Sequence, residues 1–184
     1  MKSLILLTLT LAMSPLFADE DIRSKVKNGT HNISSTIDPG KHIYGHAFGS
    51  SEDDFIKAEG KPSGYIRLTA LKTVLVYGES HGYIFTDGKL SGLRISSSII
   101  DWKLANQMPY QQKHNDQDWK LSNGIMTEMT DKAVADIVGD KLKTENHNTF
   151  FMQGGCRVEL SFATYSSGEE KGVKKICGLY IQKQ

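Results

Sequence analysis

Apolar and polar positions along this chain form three kinds of stretch. The first is a nearly unbroken apolar run, Leu4 to Met13, behind a charged start at Lys2. The second is a set of short runs rich in β-branched and aromatic residues: Thr73–Tyr77, Tyr83–Thr86, Leu90–Ile95, Thr149–Met152, Cys156–Thr164 and Val173–Gln182. Their length, and the Gly, Asp and Ser between them, predict antiparallel strands. Asp87-Gly88 is a hairpin signal between two of them. The third kind occurs twice: a hydroxyl residue, an acidic first turn, apolar positions and then Gly, at Ser50 or Ser51 to Gly60 and at Thr130 to Gly139. These predict two short helices, capped by the hydroxyl, favoured by carboxylates near the macrodipole's positive end and stopped by Gly. Phe55, Ile56 and either Ala58 or Glu59 define the apolar side of the first.

Alternation assigns faces to the strands. Val158, Leu160 and Phe162 point into a core while Arg157, Glu159 and Ser161 point out. Likewise Leu179 and Ile181 point in and Tyr180 out, and Leu93 and Ile95 point in and Arg94 out.

The order of parts in the first half is echoed in the second. Gly60 and Gly139 lie 79 residues apart, an offset that also sets Ser51 on Thr130 and Phe55 on Val134. Thr73–Gly78 matches Thr149–Gly154 at 76, and Gly92–Ile95 matches Gly178–Ile181 at 86. The difference places an insertion around Ser166–Gly172, whose Gly, Ser and charged residues suit a solvated hairpin extension. The expected fold class is therefore α+β: two tandem repeats, each short helices followed by an antiparallel sheet of three to four strands, with sheets that could join into one concave surface. The expected organisation is a signal peptide over 1–18, a polar arm over 19–42, a first repeat over 43–96, a connector over 97–120 holding Trp102 and Trp119, and a second repeat over 121–184.

The amino terminus carries its own message. About 13 apolar residues reach about 20 Å as a helix, short of a ~30 Å hydrocarbon core. Pro15-Leu16-Phe17-Ala18 before Asp19-Glu20-Asp21 suits signal peptidase, so cleavage is expected after Ala18, leaving a periplasmic or secreted protein without a membrane anchor. No Cys follows the apolar run to take a lipid. From Asp19 to Lys41 the chain is polar and turn-rich, which predicts a loosely docked arm. In an exported protein an even pair of cysteines usually forms a disulfide. Cys156 and Cys177 are the expected pair, closing a loop of about 21 residues worth roughly 3 kcal/mol.

Charge and motifs narrow the function. Twenty-two basic against twenty-one acidic residues give no field for nucleic acid or anionic lipid. Six histidines include His42 and His46 at an i,i+4 spacing, but Gly45 argues against a helix there and no ligand set completes a metal site. His81 and His147 fall in expected loops, as ordinary exposed side chains. There is no Gly-x-Ser-x-Gly elbow and no phosphate-cradling glycine loop, so no catalytic residue, cofactor or metal is expected.

Gly49-Ser50-Ser51-Glu52-Asp53-Asp54-Phe55, closing at Gly60-Lys61-Pro62 and followed by strands ending in Phe85-Thr86-Asp87-Gly88-Lys89-Leu90, resembles a module of two known groups. These are the bacterial β-lactamase inhibitory proteins and the small outer-membrane lipoprotein of the barrel-assembly machinery. The tandem form is similar to the inhibitory proteins, which implies a concave, protein-binding surface, over Ile43 to Ile181. The cysteine pair in one half only departs from the inhibitors, and the lack of an acylated cysteine departs from the lipoprotein. The function expected is thus an exported protein-binding module, inhibitory or scaffolding and not an enzyme, with a small-ligand carrier or a hydrolase as alternatives. Its binding residues would be Arg94, Arg157, Glu159 and Tyr180, of types enriched in binding anchors. A plain solvated sheet face is the structural alternative for the same four.

Overall fold

A computed structural model describes residues 36–78, 80–96 and 119–184. Expectations for the signal peptide, for most of the polar arm, and for Trp102 and the rest of the connector through 118 lie outside the described residues.

Both helices form where the sequence signals stand. Helix α1 (Glu52–Glu59) is capped by Ser51, whose Oγ accepts the Asp54 N–H, and it ends at Gly60 with φ 85°, where the Gly60 N–H donates to the Ile56 carbonyl. Helix α2 (Asp131–Val138) is capped by Thr130 through the Ala133 N–H and ends at Gly139 with φ 59°. A left-handed φ at both ends is cheap only without a Cβ, which is why glycine closes each helix. A short 3-10 turn, Gly139–Lys141, follows α2.

The strands are β1 (Thr36–Asp38), β2 (His42–Ile43), β3 (His46–Ala47), β4 (Gly64–Arg67), β5 (Lys72–Tyr77), β6 (His81–Thr86), β7 (Lys89–Ser96), β8 (Lys120–Leu121), β9 (Lys143–Glu145), β10 (Asn148–Gln153), β11 (Cys156–Thr164) and β12 (Lys174–Lys183). They make two sheets. One has the order β3-β2-β1-β8, with β8 parallel to β1; the other is continuous and antiparallel, β4-β5-β6-β7-β12-β11-β10-β9.

The expected fold is corrected by these sheets. The chain does not make two repeats, each with a sheet of three to four strands, and it is not a tandem module of the inhibitory-protein or barrel-assembly lipoprotein kind. It is a single α+β domain with one four-stranded and one eight-stranded sheet. The physical reason lies at β7 and β12, each of which closes a meander and would otherwise leave an unpaired edge. They pair instead, through Gly92↔Gln182, Leu93↔Ile181, Arg94↔Tyr180, Ile95↔Leu179 and Ser96↔Gly178. At the ends of this seam the backbones run close: a Cβ on Gly92 would stand 2.3 Å from the Ile181 carbonyl oxygen, and one on Gly178 would stand 3.1 Å from that of Ile95.

The small sheet is also new relative to the sequence reading. Thr36–Asp38, expected within a loosely docked arm, is a strand whose Ile37 is fully buried. Trp119 at the far end of the connector, and Leu121 and Ile125 just after it, are buried with it. Together with α1 and α2 the small sheet covers one face of the large one, and the main core fills the space between. Phe55 stands at the centre of this core, its ring 4.5 Å from Tyr83, 5.5 Å from Phe85 and 5.8 Å from Tyr77 between centroids.

The expected disulfide is corrected too. Cys156 and Cys177 are both free. Their strands do pair antiparallel, but Cys156 faces Lys183, not Cys177. Six residues of β12 then separate the two positions, about 20 Å at ~3.4 Å per residue, against a Cα limit near 7 Å for a bridge. Cys156 is buried in the core, whereas Cys177 falls at the bulge between Ser161 and Phe162 and is exposed.

Candidate functional site

The face of the large sheet turned away from the helices is where the polar outward positions collect. The register builds it row by row. Arg94 on β7 stands beside Tyr180 on β12, and Tyr180 beside Glu159 on β11. The next row runs Ile66, Val74, Ile84, Gly92, Gln182, Arg157 and Met152 from β4 to β10. All four residues picked from the sequence, Arg94, Arg157, Glu159 and Tyr180, therefore share one surface. Among the described residues no helix or strand covers it.

This face carries a trough. Lys72 on β5 and Gln182 on β12 are three strand spacings apart, about 14 Å, and their long side chains bridge that width, Lys72 Nζ donating to Gln182 Oε1 at 3.1 Å. Gly82 and Gly92 on the intervening strands leave the floor without side chains in two places. The trough encloses about 480 Å³ between Ile66, Leu68, Val74 and Ile84 on one wall and Glu159, Ser161 and Tyr180 on the other.

Its two walls differ chemically. On the β4–β6 side Val74, Val76 and Ile84 are buried and form a hydrophobic cluster separate from the main core, with Ile66 and Tyr180 packed against it. On the β10–β11 side the side chains satisfy one another. Arg157 Nε donates to Glu159 Oε1 at 2.6 Å, and its guanidinium lies 3.5 Å over the centre of the Phe150 ring. Arg157 also approaches Glu145 at 3.8 Å. It is thus occupied within the chain, and of the four expected anchors it has least to offer a partner. Between the walls, the Tyr180 hydroxyl donates to Gln182 Oε1. Burial and the Glu159 carboxylate push the Tyr180 phenol up, against the pull of Arg94, so it remains a proton donor. Arg94 is exposed, and among the described residues no carboxylate lies within ion-pair distance of it.

Sequence reasoning missed Lys72, Gln182 and the aliphatic wall. A signal for the wall was present: Val74-Leu75-Val76-Tyr77 is apolar at every position, the mark of a strand buried on both faces. Nothing local pointed to Lys72, because its partner is 110 residues away.

A second polar group lies beneath α1. His81, expected in a loop as an exposed side chain, is the first residue of β6 and is buried. Ser80 Oγ is 2.9 Å from its Nδ1 and the Tyr44 hydroxyl 3.3 Å from its Nε2. His46 Nε2 meets Glu59 Oε1 at 2.7 Å, with the imidazole 4.4 Å from the Phe55 ring and tilted 48° to it. Glu59, not Ala58, completes the buried side of α1. Burial pushes the Tyr44 phenol up, and burial with the nearby Glu59 charge does the same to Tyr77 and Tyr83, so all three stay protonated. This group is enclosed and ties α1 to the small sheet. His42 and His46 face each other's strands without a third ligand, and among the described residues no group of three or more His, Cys, Asp or Glu could hold a metal ion.

No family model, no curated protein and no solved structure matches this chain. Among the described residues no helix is long and apolar enough to cross a membrane.

Proposed function

We propose that this is an exported, periplasmic or secreted binding module that engages another protein, in an inhibitory or scaffolding role, through the open face of its eight-stranded sheet. The observation that carries the reading is the Arg94, Tyr180, Glu159 row set beside the aliphatic cluster of β4–β6, on a face that no described helix or strand covers. An arginine and a tyrosine at the centre of a partly apolar surface are the residue types that anchor protein partners. Export rests on the pattern of Met1 to Ala18. The trough's volume lies within the range of small-molecule sites, which favours a small-ligand carrier as the second reading. Catalysis has less behind it, since the one carboxylate among the described residues of the trough, Glu159, is paired with Arg157.

The test is capture from periplasmic extract by the mature chain, compared with its Arg94→Ala and Tyr180→Ala forms. Loss of a hot-spot anchor weakens a complex by about 2 kcal/mol, roughly thirtyfold in affinity. Capture that neither substitution weakens would refute this face as the binding surface.

A further inference from the structure

We propose that the partner segment held by this face is both acidic and aliphatic, with a carboxylate set on Arg94 and a neighbouring aliphatic side chain lying over Ile66 and Leu68. The inference rests on the reading of the open sheet face as a protein-binding surface and adds the chemistry of what binds there.

Charge complementarity is the first argument. Among the described residues three charged side chains line the trough: Lys72, Arg94 and Glu159. The carboxylate is already taken by Arg157 at 2.6 Å. Lys72 spends its hydrogen bond on a neutral amide, that of Gln182. Arg94 has no acidic partner among the described residues. The trough therefore holds positive charge that its own side chains leave uncompensated, and a guanidinium flanked by the Tyr180 ring is suited to fork onto a carboxylate. A basic segment would meet two cations and no available anion.

The second argument is the shape of the apolar surface. It rises from the buried Ile84 and Val74 through the half-buried Ile66 to Leu68, which is 55% exposed at the edge of the sheet. That wall ends at β4, which among the described residues is an edge strand of the sheet. An extended segment laid along this wall would cover Ile66 and Leu68 together. In an extended segment alternate side chains share a face, so aliphatic residues two apart can descend onto β4–β6 while an acidic end reaches β7.

The test uses the full chain and three fluorescein-labelled nonapeptides in which leucine alternates with glutamate, glutamine or lysine, read by fluorescence anisotropy. The glutamate peptide is expected to bind at least tenfold more tightly than the glutamine peptide, with the lysine peptide weakest. Arg94→Gln should bring the glutamate peptide down to the level of the glutamine one, and Leu68→Ser should weaken both by severalfold. Both positions are exposed, and unchanged thermal melts confirm that each variant folds. Equal or tighter binding of the lysine peptide overturns the proposal, as does an affinity for the glutamate peptide that Arg94→Gln leaves intact. Displacement of the glutamate peptide by dodecanoate at a lower concentration than unlabelled peptide requires would make the ligand a free amphiphile and overturn it too. If no peptide binds while capture from extract still depends on Arg94 and Tyr180, the acidic and aliphatic assignment alone fails; if that dependence is also absent, the binding face itself fails.

Discussion

Replacing Phe55 by alanine tests how α1 is held to the large sheet, where its ring is the largest buried contact beside the hydrogen bonds of the Thr73 hydroxyl to Glu52 and of the Tyr77 hydroxyl to the Gly60 carbonyl. Phe55 is fully buried and makes close ring contacts with His46, Tyr83, Phe85 and Tyr77. Truncating such a ring costs about 3–5 kcal/mol, a total that includes the aromatic pairs lost at about 0.5–1.5 kcal/mol each. A domain of this size has about 5–15 kcal/mol in all, so the variant should keep its fold with its urea midpoint sharply lowered. Val134 occupies the corresponding place on α2 and is also fully buried. Val134→Ala removes two methyl groups, worth about 0.8 kcal/mol each plus a small cavity, or about 2 kcal/mol. Urea unfolding followed by circular dichroism, with the slope shared among variants, gives the comparison. Phe55→Ala should lose about 2 kcal/mol more than Val134→Ala, and Phe55→Leu should recover about half of the loss. A Phe55→Ala loss no larger than that of Val134→Ala would refute the central role of the ring.

Two further outcomes bear on the seam and the thiols. Gly92→Ala would drive a Cβ to 2.3 Å from the Ile181 carbonyl oxygen, so β7 and β12 must part; a loss of about 1–3 kcal/mol is expected in the same urea assay, and a neutral result would show that the two halves of the sheet are not so tightly joined. Non-reduced protein should carry two thiols: Cys177 open to maleimide in the native state, though slowed because burial pushes its thiol up, and Cys156, whose thiol burial also raises, reached only in denaturant. Denatured, non-reduced protein that takes up no label would mean a disulfide after all.

What the sequence determined by itself is whatever a few consecutive residues decide. Ser51 and Thr130 cap their helices because a hydroxyl need only reach an N–H three residues on, and Gly60 and Gly139 end them because the left-handed turn is a property of one residue. The inward set of Leu93, Ile95, Val158, Leu160, Leu179 and Ile181 follows from alternation alone, and each is buried. Tertiary structure decided everything that depends on which strand lies next to which. The seam between β7 and β12 turns what read as two sheets into one, because pairing an exposed edge is favourable wherever geometry allows and no local pattern records the partner. The same register carries Cys156 opposite Lys183 and away from Cys177, buries a histidine that read as a loop residue, and brings Lys72 to Gln182 across the open face. Outward-pointing arginines looked alike in the sequence, yet Arg157 is closed onto Phe150 and Glu159 while Arg94 stands open, a difference set by neighbours on other strands.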